Sequence, residues 1–93
     1  MYFEWDEEKR ESNIRKHGID FVSVISVFDD PNAIEAYDEL HSEYEDRYQI
    51  IGTAMPGVVF VVYTERDDGD TIRIISARRA ERSEIAKYRS LRG

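Results

Sequence analysis

Six consecutive apolar residues, VVFVVY at 58–63, stand between two chain reversals, and this constrains the fold more than any other feature of the sequence. The first reversal is Met55-Pro56-Gly57 and the second is Asp67-Asp68-Gly69-Asp70. A short apolar run without alternation reads as a strand covered on both faces, at the middle of a sheet. Residues 47–54 and 71–78 read as its neighbours across the turn and the hairpin loop. Residues 33–37 form an earlier strand, separated from the others by a polar loop, DELHSEYED.

The period changes nearer the start. Residues 2–5 read as a short strand. Asp6 is an N-cap, followed by Glu7 and Glu8 where the helix dipole favours acids. That helix is expected to reach Lys16 or His17, whose positive charge suits a helix C-terminus, with Gly18 as the left-handed stop. Asp20 caps a second helix, in which Phe21, Val24, Ile25 and Phe28 follow the i, i+3, i+4, i+7 pattern. Asp29-Asp30-Pro31 ends it. From Ala80 a last helix places Ile85, Tyr88 and Leu91 against the sheet. The expected class is α+β, in the order β-α-α-β-β-β-β-α, an antiparallel meander faced by helices in one unit over 1–93.

Charge divides along the chain. The whole carries a net charge of -7, yet residues 1–46 hold fourteen acids against four bases and residues 47–93 hold six against nine. From Arg73 onward seven bases stand against Glu81 and Glu84 alone. A clustered cationic surface is a footprint of phosphate or nucleic-acid binding, and an Arg-rich solvated helix face is the plainer explanation. Cysteine is absent, which excludes disulfides and thiolate metal sites and is compatible with a cytoplasmic setting. The first ten residues, MYFEWDEEKR, lack the pattern of a signal peptide, and the apolar run is too short to cross a bilayer.

Pairing across the hairpin sharpens the cationic segment. If the loop joins Arg66 to Thr71, then Thr64 faces Arg73 on one side of the sheet. Arg66 and Arg73 become diagonal neighbours, which like charges tolerate only with an anion or carboxylate between them. An ion pair with Glu84, Glu65 or Asp70 would be the structural explanation; phosphate, whose oxygens match the guanidinium fork, would be the functional one. His41, Glu45 and Arg47 form a second cluster, of residue types suited to proton transfer and charge stabilisation. An incidental histidine in a polar loop is the bland reading. Two histidines twenty-four residues apart match no metal-ligand spacing, and no cofactor is expected. Tyr2, Phe3 and Trp5 read as packing residues. Tyr88 either docks in the core or turns its hydroxyl towards the cationic face.

The succession of landmarks resembles the BrnT family of bacterial toxins. It runs through FEWDEEK at 3–9, Asn13, KHG at 16–18, FVSVISVFDDP at 21–31, DELHSEYEDR at 38–47 and IG at 51–52. It continues through VVFVVYTER at 58–66, RIISARRA at 73–80 and the pair Glu84 and Tyr88. The resemblance implies a RelE-like fold and a ribonuclease that arrests translation. Cleavage would proceed without metal, by attack of the ribose 2′-hydroxyl on the adjacent phosphodiester. It also implies neutralisation by a ribbon-helix-helix antitoxin of the BrnA kind, which binds operator DNA, and a toxin dimer within that complex. On these expectations Arg66, Arg73 and Arg78 position phosphate and stabilise charge. His41 or Glu45 is the base, and His41 or Tyr88 the acid. Arg47, Thr64 and Arg79 contact RNA. Two departures stand out: Val58 where a basic residue is expected after the turn glycine, and the acidity of the whole chain. An acidic half either limits loose RNA binding or complements a basic antitoxin segment. The alternative function is a non-catalytic subunit that binds a DNA-binding antitoxin and tunes repression. Direct DNA reading by helices 6–17 and 21–28 is disfavoured by Asp20, Asp29 and Asp30.

Overall fold

A computed structural model describes residues 1–55 and 57–90. The elements are β1 (Tyr2–Glu4), α1 (Glu7–His17), α2 (Phe21–Val24), β2 (Ile34–Tyr37), β3 (Tyr48–Ala54), β4 (Gly57–Arg66), β5 (Thr71–Arg79) and α3 (Arg82–Ser90). The five strands form one sheet in the order β1-β5-β4-β3-β2. As the unbroken apolar run requires, β4 is central.

The sheet is mixed, which corrects the expectation of an antiparallel meander. From β2 to β5 the pairing is antiparallel, but β1 runs parallel to β5, with Phe3 opposite Ile72 and Glu4 opposite Arg73. The chain leaves β1 through two helices and three further strands before β5 returns beside it. A parallel neighbour needs such a long crossover, and no local pattern announces it.

The helices follow their capping signals. The Asp6 carboxylate accepts from the amides of Glu8 and Lys9, and Gly18 closes α1 in the left-handed region at φ 68°. The second helix is shorter than its apolar spacing suggests. After one α-helical turn it tightens into a 3-10 helix, Ile25–Asp29. Phe21, Val24 and Val27 are its fully buried residues, a spacing of three that fits the tighter helix, so Val27 takes the place expected of Phe28. A second 3-10 turn, Glu39–His41, lies within the polar loop.

The core lies on one face of the sheet. Ile19, Phe21, Val24 and Val27 cover Ile50, Val59, Val61, Ile74 and Ala77. Phe3 packs on Phe28 and Trp5 meets Phe21 edge-on, in line with their reading as packing residues. Gly52 allows the 3-10 helix to approach β3: a Cβ there would sit 2.7 Å from the Val27 side chain. Tyr88 is buried at the base of α3, whereas Leu91 lies outside the described residues. No helix among the described residues is long and apolar enough to cross a membrane.

Candidate active site

The face of the sheet turned away from α1 and α2 carries the arginines. The hairpin register is the one read from the sequence: Arg66 opposite Thr71 and Thr64 opposite Arg73. A carboxylate does stand between the two arginines, and it comes from β1. Arg73 Nη1 donates to Glu4 at 2.7 Å, and Arg66 Nε lies 3.7 Å from the same oxygen. Arg66 Nη2 also donates to Glu45 at 3.3 Å. The parallel placement of β1 therefore supplies the counter-charge, rather than Glu84, Glu65 or Asp70.

Arg78 joins this face only because β5 is bulged. Val62 pairs with Ser76 and Tyr63 with Ile74, so Ile75 is an extra residue. In a regular strand positions 73 and 78 would point to opposite faces; one inserted residue brings them to the same one. Arg78 then lies over the Phe60 ring, 4.1 Å from its centroid, and makes a two-pronged bond to Glu84 at 2.8 and 2.9 Å. Arg73 and Arg78 lie opposite Thr64 and Phe60, four positions apart on the regular β4, which at roughly 3.3 Å per residue is about 13 Å along the sheet. Each guanidinium is held by a different carboxylate, Arg73 by Glu4 and Arg78 by Glu84.

Asn13 of α1 holds the bulged strand. Its amide nitrogen donates to Ala77 O at 2.8 Å and Ile19 O at 2.9 Å, and its oxygen accepts from Ala77 N at 3.1 Å. Pairing between β1 and β5 ends at Arg73, so at Ala77 the side-chain amide does what a neighbouring peptide would do.

Beside Arg78 the face is hollowed into a groove of about 350 Å³. Phe60, Val62 and Ile75 supply apolar surface, while His41, Arg47 and Arg78 supply cations or potential cations. The loop carrying His41 is closed at its neck. Asp38 N donates to Arg47 O at 2.8 Å, Ser42 Oγ donates to Asp38 O at 2.5 Å, and Arg47 N donates to Ser42 Oγ at 2.9 Å. Thr64 Oγ1 ties the loop to β4 through Asp46 O. Within it the Asp38 carboxylate, only 6% exposed, lies 3.0 Å from His41 Nδ1. A carboxylate only accepts, so Nδ1 carries a proton, and in the neutral imidazole Nε2 is the acceptor. Arg47 Nε is buried without a hydrogen-bond partner, the one such side-chain atom among the described residues. A buried donor left unsatisfied is unfavourable unless an acceptor arrives there. Glu45 shares a smaller adjoining pocket with His41, Tyr44 and Arg47.

A family model described as "Ribonuclease toxin, BrnT, of type II toxin-antitoxin system" matches residues 5–84. The chain belongs to the BrnT family. No individual curated protein matches it. Membership makes a ribonuclease toxin, with an antitoxin as its partner, the functional frame for the groove.

Within this BrnT chain the sequence-read residues separate into groups. His41, Arg47 and Arg78 line the groove, and Glu45 flanks it. Arg66 and Arg73 lie further along the same face, joined through Glu4. Thr64 is buried and its hydroxyl is committed to the loop. Tyr88 donates to Asp30 at 2.6 Å and shares a hydrogen bond with Thr53 at 2.8 Å, so it is not among the groove's lining residues. Arg79 is exposed on the opposite side of β5 from Arg78. Residues not singled out from sequence are Asp38, Glu4 and Phe60; only Asp38 left a signal, three positions before His41. Among the described residues no three or more His, Cys, Asp or Glu side chains converge as a metal site would require.

Asp20, Asp38 and Glu84 sit below their ordinary proton affinity. For Asp20 and Glu84 the main cause is the hydrogen bond from Arg10 and Arg78 respectively. At Asp38 burial pushes upward but is outweighed by hydrogen bonds from His41 and Gln49. A depressed native carboxyl binds fewer protons than the unfolded one, so its stabilisation is present above the unfolded value and disappears as pH falls through the native value. The melting temperature is expected to hold down to about pH 5 and to fall below about pH 4. A thermal melt as high at pH 3 as at pH 6 would contradict this.

Proposed function

We propose that this chain is an endoribonuclease that cleaves RNA by attack of the ribose 2′-hydroxyl on the adjacent phosphodiester, without a metal ion. The observation that carries the reading is the wall of the groove, where an Asp38-oriented His41 stands beside an Arg47 with a buried, unpartnered Nε. His41 Nε2 removes the 2′-hydroxyl proton, while Arg47 donates to the phosphoryl oxygens as charge grows on them. The 5′-oxygen departs on the far side of phosphorus and takes its proton from solvent, which the open groove admits.

The other arginines hold the strand. Phe60 and Val62 offer a base an apolar surface, and Arg78, steadied by Glu84, keeps one edge of that surface cationic. Arg66 and Arg73 grip a phosphate further along, in exchange for the shared Glu4. That carboxylate must be displaced or shared when RNA arrives, which keeps intrinsic affinity modest in an acidic chain. Neutralisation falls to an antitoxin of the ribbon-helix-helix class, and repression of the shared operator follows through it.

Expression of the chain alone in a bacterium is expected to arrest growth and yield RNA fragments with 2′,3′-cyclic phosphate and 5′-hydroxyl ends. EDTA should leave the purified reaction unchanged. Arg47→Ala should lower the rate about 10²–10³-fold, as loss of one transition-state donor does, with the melting temperature little altered. Normal growth with intact RNA on expression of the unaltered chain would sink the proposal.

A further inference from the structure

The opposite face of the sheet has its own groove, again about 350 Å³, at the end remote from α3. Its surface is aromatic. Tyr48 stacks on Tyr63 with centroids 5.6 Å apart, Tyr37 meets Tyr48 edge-on at 5.7 Å, and Phe28 meets Tyr63 at 5.1 Å. Two carboxylates rim it, Glu35 from β2 and Glu65 from β4, and no basic side chain lines it.

These acids differ from those of the arginine face. There Glu4, Glu45 and Glu84 each pair with a guanidinium. Among the described residues neither Glu35 nor Glu65 has an ion-pair partner; Glu35 accepts only from the Tyr63 hydroxyl at 3.2 Å. The local field is negative enough to act on the tyrosines. Burial, then Glu35, pushes the Tyr63 hydroxyl far above its ordinary value; Tyr48 is raised by burial, then Asp46 and Glu65. Ring faces add negative quadrupole to the same space. Tyr37 remains 48% exposed at the rim, and Met1 beside it 72%. Such surface is open to a partner and repels RNA phosphate.

We infer that this groove is where the antitoxin docks, through a basic segment that lays an arginine or lysine across Tyr37, Tyr48 and Tyr63, with its charge between Glu35 and Glu65. The ligand chemistry follows from the lining. A planar guanidinium or an ammonium gains from the ring faces and from two uncompensated carboxylates, and an acidic or purely apolar segment would leave both acids unpaired. The inference rests on the toxin reading only for the identity of the partner. It also places docking on the face away from His41, so that toxin could be held by contacts that do not themselves fill the RNA groove.

The test is calorimetric titration of the purified chain with its purified cognate antitoxin. Glu35→Gln with Glu65→Gln is expected to weaken binding about tenfold or more and to flatten its salt dependence. Tyr37→Ala should weaken it about fivefold through lost ring contact. RNA cleavage by the double glutamine variant without antitoxin should match that of the unaltered chain, because the arginine face is untouched. Antitoxin affinity within twofold of the original would overturn the proposal; if the double variant loses binding and cleavage together through misfolding, Tyr37→Ala decides, and unchanged affinity in that variant would overturn it. If the unaltered chain cleaves no RNA, the ribonuclease reading fails while the titration still decides the docking surface.

Discussion

Asn13→Ala is expected to lower folding stability by about 2–5 kcal/mol, read as an early urea midpoint with little change in slope. The reason is the place of this amide. Asn13 is 5% exposed and bonds both backbone groups of Ala77 as well as the carbonyl of Ile19. Its loss leaves one buried N–H and two buried carbonyls without partners, each at about 1–3 kcal/mol before relaxation. Against a typical total of about 5–15 kcal/mol that is a large share. Asn13→Asp is the sharper control. It keeps the shape and the acceptor for Ala77 N but cannot donate to either carbonyl, so it should be at least as damaging as alanine at neutral pH. An unchanged midpoint in both variants would show that β5 holds its bulge without α1. Because Ala77 adjoins Arg78, surviving protein should also lose cleavage out of proportion to its folded fraction.

His41→Ala is expected to reduce RNA cleavage by about 10²–10⁴-fold while the protein stays folded. The side chain is 65% exposed, so little packing is lost with it. What is lost is the acceptor that Asp38 orients. Asp38→Asn should fall between, since an amide can present its nitrogen to Nδ1 and turn the imidazole to the wrong tautomer. Cleavage by His41→Ala within threefold of the original would remove His41 from the chemistry and leave Glu45, the neighbour in the adjoining pocket, as the base to test.

Parts of this site were readable because local rules set them. The four-residue loop DDGD fixes Arg66 opposite Thr71, and with it the approach of Arg66 to Arg73. The need for an anion or a carboxylate between them follows from charge alone. Its source does not, because Glu4 reaches Arg73 across sixty-nine positions through a parallel pairing. Likewise the alternation in RIISARR gives no hint that Ile75 is supernumerary, so the common face of Arg73 and Arg78 was not deducible. Tyr88 is a case where both readings were open, and its hydroxyl bonds to Asp30 and Thr53, away from the groove lined by His41, Arg47 and Arg78.

By itself the sequence determined the element types, the central place of β4, the hairpin register, the caps at Asp6, Gly18 and Asp20, and membership of a toxin family. These depend on apolar period, turn chemistry and short-range hydrogen bonding, all of which act between near neighbours. Only the tertiary structure decided that β1 lies parallel to β5, that a bulge held by Asn13 turns Arg78 onto the arginine face, and that Glu4 and Glu45 pair with arginines on one face while, among the described residues, Glu35 and Glu65 lack ion-pair partners on the other. Those outcomes depend on contacts between residues far apart in the chain, whose energies no local pattern records.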